Sequence, residues 1–388
     1  MSREAADAGT EEKAEHPPLM ARVGRAYFES RSSRVRAVNS GDALHVLNDT
    51  EKKALRSVEL GAIMRAAIAG AVSGGSCAAA EVFADMEFAN DPVSYWTLMG
   101  VVTVIASIGE IAYIYWETLR SVHELARVAG IELFGKDRKS SDDALVDALA
   151  RAALELPNPV DKKNGVNPHR EVKKWKLVLV SLAYKAKVGV TNFVTKLLIR
   201  RVLSRAALRG VLLKGLPFVA LPVTAFWNGV VMWLVLREAR IRAMGPSAIE
   251  ELVEAIFKDT PQLSEAGKLS AVRAVAGAIV RTQDFHPNLV RLLGAVSKRA
   301  GDTGKNELDD VGLFLSNLKT LEAADLRVSL QVLSVACVVD GRLSSRERKL
   351  WSDALQAAGR PVDFKLVEKL LKAFVFGEGF AVDVLKIT

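Results

Sequence analysis

Three long apolar runs interrupt an otherwise mixed pattern of charged and apolar positions in the first two thirds of the chain. Residues 66–80 carry no charge and are mainly Ala, Gly and Ser. Residues 92–116 carry one charge, Glu110, and residues 215–236 carry none. A helix needs about 20 largely apolar residues to cross the roughly 30 Å hydrocarbon core of a bilayer. The pattern predicts a transmembrane helical hairpin over 61–118 and a second, separate membrane-associated segment.

The charges around this hairpin predict its orientation. The link between its two helices contains Asp85, Glu87 and Asp91 but no Lys or Arg. Basic residues flank the hairpin instead: Lys52, Lys53 and Arg56 before it, and Arg120, Arg127, Lys136, Arg138 and Lys139 after it. The positive-inside rule places the link outside and both flanks in the cytoplasm. Residues 19–60 are then a cytoplasmic helical lead-in, and residues 119–176 are a cytoplasmic connection.

The run 215–236 differs from the hairpin because it contains two prolines. Pro217 and Pro222 would interrupt an ordinary helix, since proline lacks an N–H donor and clashes with the preceding turn. Both flanks of the run are basic, so a straight span would leave one group of cations on the wrong side of the membrane. The sequence favours a bent, re-entrant insertion with both ends cytoplasmic, and a full crossing is the alternative.

The overall charge indicates which kinds of molecule the chain could bind. The chain has 388 residues, a net charge of +8 and 25% charged residues, with a mean hydropathy of +0.16. A basic chain of this kind suits either nucleic acid or an anionic membrane surface. Here the cations flank apolar runs and do not form an exposed stripe with stacking aromatic residues. Anionic lipid is therefore the expected partner, and nucleic acid is not.

Small and polar residues within the apolar runs indicate specific contacts. Gly70 and Gly74 form a G-x-x-x-G spacing that lets another helix approach closely, which predicts an oligomer contact. Glu110 is either a functional carboxylate, a partner of Arg65, or protonated. Asn228 needs hydrogen-bond partners in its apolar surroundings, either backbone carbonyls freed by the nearby prolines or a lipid head group or solute.

The C-terminal part of the chain has a different pattern. From residue 246 onward the apolar runs shorten to helical periodicity, which predicts a soluble helical domain over 246–388. The acidic residues 1–18 lack an apolar stretch and predict a disordered tail. Strand-type alternation is nearly absent along the chain, so the expected fold class is all-α, with a membrane-embedded hairpin, a proline-broken apolar segment and a C-terminal soluble domain.

An internal repeat lies within the C-terminal part. A shift of 58 residues aligns residues 278–301 with residues 336–359, which indicates that one helix-turn-helix unit occurs twice. In the second copy, Ser344 and Glu347 have the spacing of a capping box, in which a Ser side chain and a Glu side chain cap the same helix start.

The second copy contains the pattern A-x-x-x-D-G-x-L-S-x-x-E. This pattern resembles the TerB-like family of tellurite-resistance proteins, whose all-helical domains repeat such units and can carry acidic metal ligands at these positions. The resemblance implies that Asp340 and Glu347 bind a divalent cation. The first copy has Thr282 and Gln283 in place of Asp-Gly and Leu289 in place of Glu. Turn and cap chemistry is therefore the alternative role of the two acidic residues.

A second resemblance covers residues 175–250 approximately and includes the predicted membrane-associated helical segment 177–245. The stretch KGLPFVALPVTAFWNG, followed by REARIRAMGP, resembles the core signature of the EcsC family, which comprises bacterial membrane-associated proteins of poorly defined biochemistry. The matching positions are Pro217, Pro222, Asn228 and Ala243. The resemblance implies a bacterial membrane-associated protein. Together with the charge pattern, it predicts a location in the bacterial inner membrane, with the N-terminus and the C-terminal domain in the cytoplasm.

No residue pattern in the sequence specifies a reaction or a cofactor other than this divalent cation. The leading hypothesis is a non-enzymatic bacterial membrane protein that presents a cytoplasmic TerB-like module to an unknown protein partner or for envelope-stress sensing. One alternative is a transporter or pore subunit that uses Glu110 and Asn228, because broken helices often line binding sites. Another is a peripheral lipid-binding protein whose apolar stretches fold into a soluble core.

Overall fold

The fold is described by a computed structural model that covers residues 19–32, 46–129, 140–158, 165–170, 220–258, 262–301 and 307–379. Within these ranges every regular element is an α-helix, so the all-α class predicted from the sequence is confirmed there. The helices are α1 (Leu19–Ser32), α2 (Asp49–Glu87), α3 (Pro92–Val128), α4 (Ser140–Ala153), α5 (Ala220–Lys258), α6 (Glu265–Thr282), α7 (Pro287–Ala300), α8 (Val311–Asn317), α9 (Ala323–Ala336), α10 (Ser345–Ala357) and α11 (Phe364–Phe376). Pro217 and the acidic tail 1–18 lie outside the described residues.

The predicted hairpin corresponds to α2 and α3. Asn48 caps α2 through a capping box with Glu51, and Asp91 caps α3 by accepting a hydrogen bond from the backbone of Val93. α2 contains 39 residues and α3 contains 37. At 1.5 Å per residue each helix is about 55 Å long, so both are longer than the roughly 30 Å core of a bilayer.

The apolar surfaces of α2 and α3 are largely exposed. Both helices are long and apolar enough to cross a membrane, and the apolar windows of α2 and α3 are only 28% and 17% buried. Leu60, Met64, Ile68 and Val72 follow one another at intervals of four residues and form an exposed stripe along α2. An apolar core helix of a soluble protein would be mostly buried, whereas large exposed apolar surfaces mark contact with a membrane or another protein.

α5 is a single helix of 39 residues that contains the described part of the third apolar run. The described part of this helix begins at Ala220 and includes Pro222. The interruption expected at Pro217 and Pro222 stays a prediction, because the residues before Ala220 lie outside the described part of the chain. The predicted boundary after residue 245 falls in the interior of α5, next to Pro246, and the helix continues for about three turns beyond it.

α5 runs antiparallel to α2. Contacts along their interface join Leu221 to Gly75, Thr224 to Gly70, Gly229 to Ile63, and Arg240 to Glu59. The described end of α5 therefore lies level with Gly75, about 18 Å short of the end of α2 at Glu87.

The C-terminal unit consists of α6 to α11 and contains the repeat. α6 is its central helix, with residues 270–280 all buried, and it packs against α7, α8, α9 and α10. A shift of 58 residues relates the first residues of α6 and α7 to those of α9 and α10. The same shift pairs Gln283 with Gly341, both at positive φ, and the N-cap His286 with the N-cap Ser344. The helix starts and the turns therefore repeat as the sequence predicts.

Further contacts join α1 and the residues just before α2 to the rest of the fold. α1 packs against α4 and the last turns of α3, where the ring of Phe28 stacks on that of His123. The backbone N–H of Leu47, just before α2, donates to the carbonyl of Gly377 at 2.9 Å, just after α11. The start of the hairpin and the end of the C-terminal unit are therefore held together.

Candidate functional site

A polar contact joins α3 to α5 within their apolar halves. Asn228 Nδ2 donates to Glu110 Oε1 at 2.7 Å, and both side chains are buried. One turn earlier in α5, Thr224 Oγ1 donates to the carbonyl of Gly70 on α2 at 2.9 Å. The structure therefore brings together the two polar residues that the sequence singled out, and each satisfies part of the hydrogen-bonding requirement of the other.

Gly70 makes the close approach of α2 and α5 possible. A Cβ atom at this position would lie 2.6 Å from the carbonyl oxygen of Thr224 and 2.7 Å from Asn228 Nδ2. Gly74 is also buried. The small-residue face that the sequence assigned to an oligomer contact is thus used, at Gly70, by a helix of the same chain. An oligomer contact through Gly70 and Gly74 stays a prediction.

A buried ion pair joins α2 and α3 two turns away from Glu110. Arg65 Nε and Nη2 both lie 2.7 Å from Glu117 Oε1, and Ser121 Oγ donates to the same oxygen at 3.0 Å. Glu117 is fully buried. Pairing of Arg65 with Glu110, one of the alternatives open from the sequence, is therefore not what the structure contains, because Glu117 lies nearer on the same face of α3.

The C-terminal half of α5 contacts the turn of the second repeat. Arg237 donates from its guanidinium to the carbonyl oxygen of Gly341. Gly341 has a φ of 74°, which glycine adopts without strain, and a Cβ atom there would lie 2.2 Å from Ile241 Cδ1. Only a glycine therefore allows this turn to lie directly on α5.

Asn288 joins α5 to both repeats. Its side-chain amide donates to the carbonyl of Ile241 on α5 at 3.0 Å and to the carbonyl of Val339 before the second turn at 2.8 Å. A Cβ atom at Gly245 would lie 2.1 Å from Asn288 Oδ1, so α5 needs a glycine at this position. The amide thus satisfies two backbone carbonyls at the place where α5, α7 and the second repeat meet.

Glu238 lies at the centre of the charges on this junction. His286 Nε2, Arg242 Nε and Arg342 Nη2 lie 3.1, 3.0 and 3.3 Å from its carboxylate. Burial alone would raise the pKa of Glu238, but the hydrogen bond from His286 and the charges of the partners outweigh burial and hold the pKa well below its ordinary value. His286 Nδ1 accepts from the N–H of Asn288, so the ring proton on Nε2 points at Glu238.

Asp340 and Glu347 lie close together, and both are buried. Glu347 Oε2 accepts from the N–H of Ser344 at 2.8 Å, and Ser344 Oγ accepts from the N–H of Glu347, which completes the predicted capping box. Asp340 Oδ1 accepts from the N–H of Arg342 at 2.9 Å and closes the turn. Turn and cap roles are thus confirmed for both residues.

Burial is also the main cause of the altered acidity of this pair. It raises the pKa of Asp340, and together with the nearby Asp340 carboxylate it raises the pKa of Glu347 to about 8. Among the described residues, Glu347 Oε1 has no hydrogen-bond partner.

The cation that the TerB-like resemblance implies at this pair has few ligands available. A hard divalent cation such as Ca²⁺ takes roughly six to eight oxygens. In the part of the chain that the structure describes, no group of three or more His, Cys, Asp or Glu residues could hold a metal ion. Asp340 and Glu347 alone are too few donors, and both already serve the backbone. Cation binding at these two residues stays a prediction.

No family model, curated protein or solved structure matches this chain. The EcsC-like and TerB-like resemblances therefore stay predictions from the sequence, and a functional assignment rests on the geometry of the chain itself.

Sequence reasoning did not find the junction residues Arg237, Glu238, Asn288 and His286. Two signals were present in the sequence: the charges that follow directly on the apolar run, and a His-Pro-Asn step at a helix start. Neither signal identifies a partner, because the partners lie about 50 to 100 residues away along the chain.

Proposed function

We propose that this chain is a non-enzymatic membrane protein of the bacterial inner membrane. In this proposal α2, α3 and the apolar half of α5 are embedded in the bilayer. The C-terminal unit from α6 to α11 is a cytoplasmic module for protein interaction or envelope-stress sensing.

The observation that carries the proposal is the continuity of α5. Its first turns lie against the apolar halves of α2 and α3, with Phe226 72% exposed. One face of its last turns is buried, including Ile249 and Leu252, and packs against α7 and α9. A single rigid helix therefore joins the apolar hairpin to the repeat unit, which suits a module held at a fixed position below a membrane.

The arrangement of charge supports the proposed orientation. The link between α2 and α3 carries only acidic charges, whereas Arg237, Arg240 and Arg242 follow the apolar half of α5. By the positive-inside rule, the end of α5 that enters the repeat unit is cytoplasmic. The re-entrant form of the 215–236 segment is proposed from the basic residues at both of its ends.

Chemical labelling tests this orientation in the full-length chain. Asn90 in the α2–α3 link and Gln356 on α10 are both exposed, so each is replaced by cysteine in a Cys77→Ala background. Cys337 is fully buried and is left in place. In sealed right-side-out vesicles, a membrane-impermeant maleimide is expected to label Asn90→Cys, and to label Gln356→Cys only after the vesicles are opened.

The parent Cys77→Ala chain is the control and is expected to stay unlabelled in both states. Labelling of Gln356→Cys in sealed vesicles would show that the repeat unit is outside and would contradict the proposal. Equal labelling of both positions in sealed vesicles, with release of the protein by alkaline carbonate, would favour the peripheral lipid-binding alternative instead.

A further inference from the structure

The position of α1 along α3 is fixed by two contacts. The rings of Phe28 and His123 stack at 6.2 Å between centroids, and the Cβ position at Gly24 lies 3.5 Å from Leu119 Cδ2. The two helices therefore run parallel. Moving four residues toward the N-terminus of α1 also moves four residues along α3 toward its apolar half. One further turn places Met20 level with the residues around Trp116, where the apolar run 92–116 ends.

The N-terminal end of α1 is apolar and exposed. Leu19, Met20 and Val23 are 72%, 37% and 49% exposed, whereas Ala21 and Phe28 on the opposite face are buried against α3 and α4. Scattered single apolar residues on a surface are ordinary. Three together at one end of a helix, level with the end of an apolar run, form a continuous extension of the exposed apolar surface of α3.

Charges surround this apolar end in an arrangement that suits an anionic surface. Arg22 is exposed beside Leu19 and Val23, and Arg25, which also pairs with Glu29 at 3.1 Å, lies one turn further along. On α3, the guanidinium of Arg120 lies 5.6 Å from the centre of the Trp116 ring. The acidic residue of α1, Glu29, lies in the last turn, away from the apolar end.

We infer that the N-terminal half of α1 lies on the cytoplasmic surface of the bilayer, with Leu19, Met20 and Val23 in the head-group region and Arg22 and Arg25 against the phosphates of anionic lipids. This inference rests on the proposed membrane placement of α3. A helix with apolar residues on one side and cations beside them binds such an interface through buried apolar area and electrostatic attraction. The apolar end of α1 lies level with the apolar surface of α3, so the bilayer that covers α3 is also the partner of α1. In this inference α1 anchors the chain to the membrane surface, whereas the sequence predicted only a cytoplasmic lead-in.

Accessibility of a spin label tests the inference in the full-length protein. Val23→Cys and the control Ser30→Cys, at the distal end of the same helix, each carry a nitroxide in the Cys77→Ala background. The protein is reconstituted in phosphatidylcholine bilayers with and without phosphatidylglycerol. The label at position 23 is expected to collide more with oxygen than with an aqueous nickel chelate, and phosphatidylglycerol is expected to strengthen this preference. The label at position 30 is expected to show the opposite preference.

The two arginines provide the matched variant. The double change Arg22→Gln and Arg25→Gln is expected to abolish the response of the position-23 label to phosphatidylglycerol, with no change at position 30. If the labels at positions 23 and 30 behave alike in both lipid mixtures while the protein resists carbonate extraction, α1 does not bind the bilayer, and the proposed membrane placement stands. Release of the protein by carbonate contradicts both the placement and the inference.

Discussion

Replacement of Gly70 by alanine is expected to lower the free energy of unfolding by about 2 to 3 kcal/mol, because overpacking at a close helix contact forces the two helices apart. The new methyl group would lie 2.6 Å from the carbonyl oxygen of Thr224, a backbone atom that cannot move by itself. Separation of α2 from α5 would also break the hydrogen bond from Thr224 to Gly70. Thermal unfolding of the purified protein in a bilayer nanodisc, followed by circular dichroism, measures the loss.

Gly100 provides the matched control for this change. It also lies within an apolar helix, α3, but among the described residues no atom of another element lies within 4 Å of its Cβ position. Alanine is the better helix former, so Gly100→Ala is expected to leave the unfolding temperature unchanged or to raise it slightly. If Gly70→Ala and Gly100→Ala have the same effect, the packing of α5 against α2 does not exist in the form described.

The second large effect concerns pH and Glu347. Burial and the neighbouring Asp340 raise the pKa of Glu347 from its ordinary 4.5 to about 8. The unfolded chain releases this proton above about pH 4.5, whereas the folded protein holds it until about pH 8. The stability associated with this group is therefore fully present below pH 4.5 and is lost as the pH rises to about 8. Glu347→Gln is expected to remove this loss, which amounts to roughly 4 kcal/mol.

Denaturation of the wild type and Glu347→Gln at about pH 5 and about pH 8 measures this difference. Glutamine keeps an acceptor for the N–H of Ser344, so the cap of α10 is retained. Glu265→Gln, at a carboxylate whose side chain is 81% exposed, is the control and is expected to keep the pH profile of the wild type. A pH profile of Glu347→Gln that matches the wild type would show that the carboxyl is solvated and ionised in the folded protein.

Local features of the fold could be predicted from the sequence because they depend on neighbouring residues. The apolar runs predict the hairpin, and the 58-residue repeat predicts matching turns at Gln283 and Gly341. The Ser344 and Glu347 spacing predicts the cap of α10.

The course of α5 could not be predicted in the same way. A Gly-Pro step usually marks the end of a helix, so the sequence indicated a domain boundary after residue 245. Tertiary contacts override that preference. Asn288 fills the space beside Gly245 and bonds to the carbonyl of Ile241, which holds the helix together across the predicted boundary.

The sequence predicted which residues belong to the candidate site, but it did not predict which of them contact each other. Glu110 and Asn228 stood out as polar residues in apolar runs, but periodicity does not reveal which helices face each other. The partners Arg65–Glu117 and Glu59–Arg240 depend on the register of α2 against α3 and α5. That register follows from small residues such as Gly70 and from shape, which a single sequence does not specify.

A distance measurement along α5 tests most directly whether one continuous helix joins the bilayer to the repeat unit. Nitroxides are attached at Phe226→Cys and Glu254→Cys, both exposed positions, in the Cys77→Ala background, and the protein is reconstituted in nanodiscs. A continuous helix is expected to give a narrow distance distribution at about 42 Å, with the label at position 226 accessible to oxygen dissolved in lipid. A broad or much shorter distribution, or a label at position 226 that collides mainly with an aqueous nickel chelate, would contradict the account.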